Sequence, residues 1–254
     1  MTYQVEGNNL FSEAVFRPLE KKRYSEQIAD LIQDKILRDH LESGTNLPSE
    51  KDLSLEFQVS RSVIREALRM LEVSGLVKIK KGPSGGIFVS NGFHKPITNS
   101  LNNLITLGDV TIDHLFDVRL LIEPHIAMEA ALNAKDEHVK KLKELIEDSS
   151  KHQDDPIHLK RNNLKFHLLV AKASGNPVLS LLLESVIELL VKTTLDFLDL
   201  SLERYFFQAH KEIFNAIAQK NPEETKRLIK EDILDTKEKI ERFRSRKKIS
   251  STSR

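Results

Sequence analysis

The chain has no cysteine among its 254 residues. Disulfides are excluded, and thiolate metal ligation and thiol redox chemistry go with them. That fits a reducing cytoplasm, where this chain is expected. The amino end, "MTYQVEGNNLFSEAVF", lacks a basic segment followed by an apolar core, so it does not read as a secretory signal. A long uncharged apolar run is missing too. The most apolar stretch, Pro177 to Leu200, carries Glu184, Glu188, Lys192 and Asp196 at four-residue intervals. That charged stripe predicts a bundle helix with one wet edge rather than a membrane span, and no membrane partner is expected. Net charge is only +1, so no global field selects a polyanionic partner.

The distribution of charge is uneven. From Phe57 to Lys95 there are seven basic residues against two acidic ones. A local surplus of this kind is the footprint of a nucleic-acid surface, although a solvated helix face also produces one. The chain is 39% apolar, enough for one large core or two smaller ones.

Local patterns predict the organisation. Residues 1–18 read as a loose arm. Ile28, Leu31, Ile32, Ile36 and Leu37 repeat at helical spacing. "ESGTNLP" breaks that pattern. Ser49 then caps a second helix whose first turn holds Glu50 and Asp52. After the tight connector "QVS", Ser60 caps a third helix with Val63, Ile64, Ala67, Leu68 and Leu71 facing inward, and Gly75 ends it. "LVKIKK", "GPSGG" and "IFVS" read as strand, turn and return strand. Residues 19–91 are therefore expected to form a winged helix-turn-helix, with 92–99 as a linker. Residues 100–245 are expected to be all helical, seven helices with starts at Asp136, Asn176-Pro177 and Asn221-Pro222 and a kink at Pro124. The basic tail, 246–254, is expected to be disordered. The fold class is mainly α: three helices plus a β-hairpin, followed by a helical bundle.

An α-helix fits the major groove of B-form DNA, and its first residues reach base edges. Arg61 and Arg65 lie one turn apart, opposite the inward apolar set. Their planar forks suit guanine O6 and N7, or a phosphate. Ser60 and Ser62 are short donors near the helix start, and wing glycines admit close backbone approach. Arg69 is read as solvation only.

"LPSEKDLSLEFQVSRSVIREALRMLEVSGLVKIKKGPSGGIFVS" resembles the N-terminal domain of GntR-family bacterial transcription regulators, over roughly Tyr24 to Ser90. The resemblance implies double-stranded DNA as partner and contacts at Lys51, Ser60, Arg61, Ser62, Arg65, Lys81 and Gly82. Lys51 stands where other members carry arginine, so it lacks their bidentate fork. "FDVRLLIEPHIA", "NLKFHLLVAKASGNPVL" and "QAHKEIFNAI" resemble the C-terminal FCD domain of the FadR subfamily, over about Thr111 to Phe243. Such domains surround a cavity, and many hold a divalent metal through an aspartate and three histidines. Carried over by position, that set becomes Asn163, His167, His210 and Asp232. The resemblance implies a zinc or nickel ion at these residues and a small carboxylate effector contacting Arg119 and Asn163.

Two outcomes stay open. Asp232 supplies the carboxylate that Asn163 lacks, or the site has lost its metal and binds effector by hydrogen bonds alone. Arg119 likewise meets either an effector carboxylate or Glu123, one turn on. His114, His125, His138, His152 and His158 are read as surface or packing residues. The function expected is a homodimeric repressor on a palindromic operator, modulated by effector. The alternatives are a metal-dependent hydrolase using His167, His210 and Asp232, and an architectural DNA-binding protein with no effector.

Overall fold

The computed structural model describes the backbone of residues 23–82, 85–194 and 198–252, and side chains except those of 192–194 and 243–252. The expected arm at 1–18 and the wing-tip residues 83–84 lie outside the described residues. The chain divides into two compact units after Asn91.

The first unit contains α1 (Tyr24–Arg38), β1 (Asn46–Leu47), α2 (Glu50–Glu56), α3 (Arg61–Val73), β2 (Val77–Lys80) and β3 (Gly86–Val89). Serine caps set both helix starts, as expected. Ser49 Oγ accepts from the Asp52 amide at 3.2 Å, and Ser60 Oγ from the Val63 amide at 3.4 Å. Gly75, at φ +80°, ends α3. One apolar stripe from each helix meets the sheet: Ile28, Ile32 and Ile36, then Leu53, then Ile64, Leu68 and Leu71, against Val77, Ile87 and Val89. Leu31 and Leu37 sit off that stripe and are half exposed. The sheet has three strands in the order β1-β3-β2, all antiparallel. The third strand, β1, was not expected. Two residues are too short to show a period, and Asn46 and Leu47 become a strand only because Phe88 and Ile87 lie opposite.

The second unit contains α4 (His94–Leu107), α5 (Ile112–Asn133), α6 (Asp136–Lys151), α7 (Pro156–Ala173), α8 (Pro177–Thr194), α9 (Leu200–Ala218) and α10 (Pro222–Thr252). Asn176 Oδ1 caps α8 by accepting from the amides of Val178 and Leu179, each at 3.1 Å. α5 runs unbroken through Pro124 and packs against α7, α8, α9 and α10. Phe116, Ile126, Leu142, Phe166, Leu183, Ile213, Ile229 and Ile233 form the core.

Two boundaries differ from expectation. The supposed linker, 92–99, begins α4 at His94. Pro96 is tolerated because it falls in the first turn, where amides have no intrahelical partner. The polar composition that suggested a linker is used against α8. His94 Nε2 lies 3.1 Å from Glu188, and its carbonyl accepts from Ser185 Oγ at 3.3 Å. Glu184 and Glu188 are thus partly covered by α4, not a fully wet edge. The second difference is at the end, where the expected disordered tail is helical backbone through Thr252. No glycine or proline follows Pro222 to stop α10.

Candidate functional site

The first unit presents a charged face. Lys51, Ser60, Arg61, Ser62, Arg65, Lys81 and Gly82 are all exposed. Arg65 and Ser62 on α3 and Lys81 on the wing line one cleft. Arg69, read from sequence as solvation, lines the same cleft. The cleft is held by specific bonds. Glu72 Oε1 accepts from the Ile79 amide at 3.0 Å, tying α3 to the wing. Arg65 Nε donates to Glu50 Oε2 at 2.7 Å, tying α3 to the start of α2. Gly82 adopts φ +103°, which a residue with a Cβ rarely takes, so the backbone turns sharply where the wing begins.

The second unit buries a polar cluster. Arg119 and Glu123 on α5, His167 on α7, His210 on α9 and Asp232 on α10 are each no more than 4% exposed. Arg119 Nε donates to Glu123 Oε1. Glu123 Oε2 lies 2.6 Å from His167 Nδ1. Arg119 Nη2 sits 3.3 Å from both ring nitrogens of His167. The other edge of the His167 ring faces Asp232, with Nε2 to Oδ2 at 3.5 Å, and His210 Nε2 is 3.8 Å from the same oxygen. The His210 ring stacks on Phe166 at 4.2 Å between centroids.

Electrostatics follow from this packing. Burial pushes the Glu123 carboxyl up, but the Arg119 guanidinium and His167 outweigh it and hold it at about 2. Burial likewise pushes Asp232 up, yet His210, His167 and Arg119 keep it below the usual carboxylate range. Burial lowers His210, which favours the neutral ring with a lone pair to offer.

His210 Nε2 and both oxygens of Asp232 are buried without a hydrogen-bond partner among the described residues. Orphaned buried acceptors are costly. The ligand atoms of His167, His210 and Asp232 lie within 4.8 Å of one another. Two ligands about 2.1 Å from a tetrahedral ion stand about 3.4 Å apart, close to the 3.5 Å between His167 and Asp232. The donor set fits a divalent ion. Asn163, one turn before His167, is half-buried and lines two small cavities beside the cluster.

A second grouping lies at the α6–α7 corner, where Asp148 brings together His152 and His158, both read from sequence as surface or packing residues. Its polar atoms are already used. Asp148 Oδ2 takes His158 Nε2 at 2.6 Å and Asn162 Nδ2 at 2.7 Å, and His152 Nδ1 meets the Asp148 carbonyl at 2.8 Å. It serves as a latch between helices.

Two contributors were not found by sequence reasoning. Glu123 was seen only as a partner for Arg119; its bond to His167 crosses 44 residues. Glu203 on α9 was not singled out. It is 4% exposed, its Oε2 has no hydrogen-bond partner among the described residues, and Lys160 on α7 stands 4.0 Å from Oε1. Burial raises Glu203 to about 7 against the pull of Lys160. No short-range spacing signals either role.

Among the described residues, no helix is long and apolar enough to cross a membrane. Residues 24–89 match the model described as bacterial regulatory proteins, gntR family, and residues 114–235 match the FCD domain. An HTH-type transcriptional repressor NanR of Klebsiella aerogenes is 30% identical over 90% of this chain and 88% of its own length. One from Salmonella newport is 29% identical over 84% of each. Among solved structures, a Streptococcus agalactiae GntR protein is 30% identical and covers 84% of this chain and 98% of its own, with a TM-score of 0.60. These relatives are named as transcriptional regulators, so the hydrolase alternative finds no support. A helix-turn-helix whose wing and third helix share one exposed charged cleft, joined to an FCD bundle, places this chain in the GntR family of bacterial regulatory proteins.

Proposed function

We propose that the chain is a transcriptional repressor of a metabolic operon, acting in the cytoplasm as a homodimer on a palindromic operator. One helix-turn-helix reads only a few base pairs, and two copies on matched half-sites supply affinity and specificity. The observation that carries this reading is the exposed pair Arg61 and Arg65 on the helix capped by Ser60, with Arg65 and Ser62 sharing a cleft with Lys81 of the wing. Arg61 and Arg65 serve base edges or phosphates. Lys51, Ser60, Ser62, Lys81 and the Gly82 backbone serve the sugar-phosphate chain. The Klebsiella relative, named a repressor, supports the direction of control.

The test is retention of the gene's own promoter fragment by the purified full chain across salt. Affinity should fall roughly a thousandfold or more between about 50 and 200 mM, because phosphate contacts release counterions. A flat profile removes the DNA reading.

In the second unit, His167, His210 and Asp232 hold a zinc or nickel ion, with Asn163 offering its amide oxygen. Such an ion supplies attraction for a small carboxylate effector. Glu123 orients the His167 ring through Nδ1, so that Nε2 faces Asp232. Arg119 brings positive charge beside the ring, offset by Glu123 and Asp232. The two cavities here are only about 10 and 40 Å³, room for about a water each, so an effector enters as side chains move apart. That movement couples effector to DNA, since a ligand shifts an equilibrium only through its differential affinity for the two states. Elemental analysis of the purified chain should find about one zinc or nickel per chain. His167→Ala with His210→Ala should carry none. A wild-type chain that holds no metal and takes up none on titration leaves a hydrogen-bonding cavity instead.

A further inference from the structure

The effector reading leaves one group unused. Glu203 projects from the first turn of α9 into the same region as Asn163, and both residues line both small cavities. One cavity also reaches His210, the other Arg119 and Lys160. Glu203 Oε2 is buried there without a hydrogen-bond partner among the described residues, and Lys160 is 4.0 Å from Oε1, beyond hydrogen-bond range. A carboxylate oxygen kept from water is an expensive acceptor, and none of the described residues donates a hydrogen bond to Oε2 in this arrangement. Lys160 and Leu164 also line a groove of about 680 Å³ between α4, α7 and α8. That groove is large enough for the body of an organic ligand.

Resting on the carboxylate-effector reading, we propose that Glu203 is a specificity-determining residue, and that the effector is a carboxylate that also carries a hydroxyl or amine donor. The effector's carboxylate faces the His167, His210 and Asp232 end with Arg119. Its donor faces Glu203 Oε2. An acid with nothing but an alkyl chain leaves that oxygen unpaired and binds more weakly.

The experiment uses the full chain, with and without added zinc. Its probes are matched carboxylates of three to nine carbons, each tested as the plain acid, the hydroxy acid and the amino acid, with affinities from calorimetry or thermal shift. At some chain length the hydroxy or amino form should bind at least tenfold more tightly than the plain acid. Glu203→Met, which roughly keeps volume but removes the acceptor, should abolish that preference, so that plain, hydroxy and amino acids of one length bind alike. Glu203→Gln keeps an acceptor but no charge, so it should retain a preference for hydroxyl and lose one for ammonium, which identifies the donor. Both variants should melt within a few degrees of wild type. Plain acids binding as tightly as their hydroxy and amino partners, or a preference that survives in Glu203→Met, overturns the proposal alone. Failure of every carboxylate to bind overturns the effector reading and this proposal with it.

Discussion

Arg65→Ala should weaken operator binding by roughly 30-fold to 10⁴-fold. A good arginine contact to a base edge is worth about 1–3 kcal/mol, and the proposed dimer loses two. The variant should remain folded and keep the assembly state of the wild type, because Arg65 is exposed and lies outside the apolar core of its unit. Its bond to Glu50 is a surface pair, with side chains 65% and 32% exposed, so its loss costs well under about 1 kcal/mol of stability. That bond uses Nε and holds the guanidinium over the cleft, which lowers the entropy of presenting the fork to DNA. Competition assays with operator and scrambled duplexes separate the two forms the contact can take. Loss of discrimination at one base position marks base reading, and a uniform loss with a shallower salt slope marks a phosphate contact. Unchanged affinity for both duplexes removes Arg65 from the interface.

Glu123→Ala should destabilise the second unit by about 3–5 kcal/mol, the cost of leaving a buried cation without its counter-charge. Arg119 is 4% exposed, and Glu123 is the carboxylate that meets it directly. Joint replacement of Arg119 and Glu123 by methionine should recover most of the loss, because both charges are then gone and the volume is kept. Urea titration, followed by a probe in residues 92–254, measures both. The same substitution should weaken metal uptake by about 10- to 100-fold, because His167 loses the partner that sets its ring. A single variant as stable as wild type would show that the Arg119 charge finds water or another partner.

These two sites differ in how far they could be read from residues alone. Arg61 and Arg65 are neighbours on one helix face, and the serine cap that starts the helix acts over three residues. The same holds for most helix boundaries in the second unit, where Asn176 and Asn221 cap as expected. The linker expectation failed for the opposite reason. His94 and Lys95 look like loop residues until Glu184 and Glu188, some ninety positions later, lie against them.

Sequence alone determined the two-part plan, most helices with their caps, the exposed arginine face of α3 and the family resemblance, because periodicity, capping and motif spacing are short-range properties carried by adjacent residues. Only tertiary structure decided that Glu123 reaches His167 as well as Arg119, that His210 and Asp232 keep unsatisfied atoms, that Glu203 is buried beside them, and that Arg65 rests on Glu50. Those are matters of burial and of contacts across 15 to 44 residues, and burial sets what an unpaired charge costs.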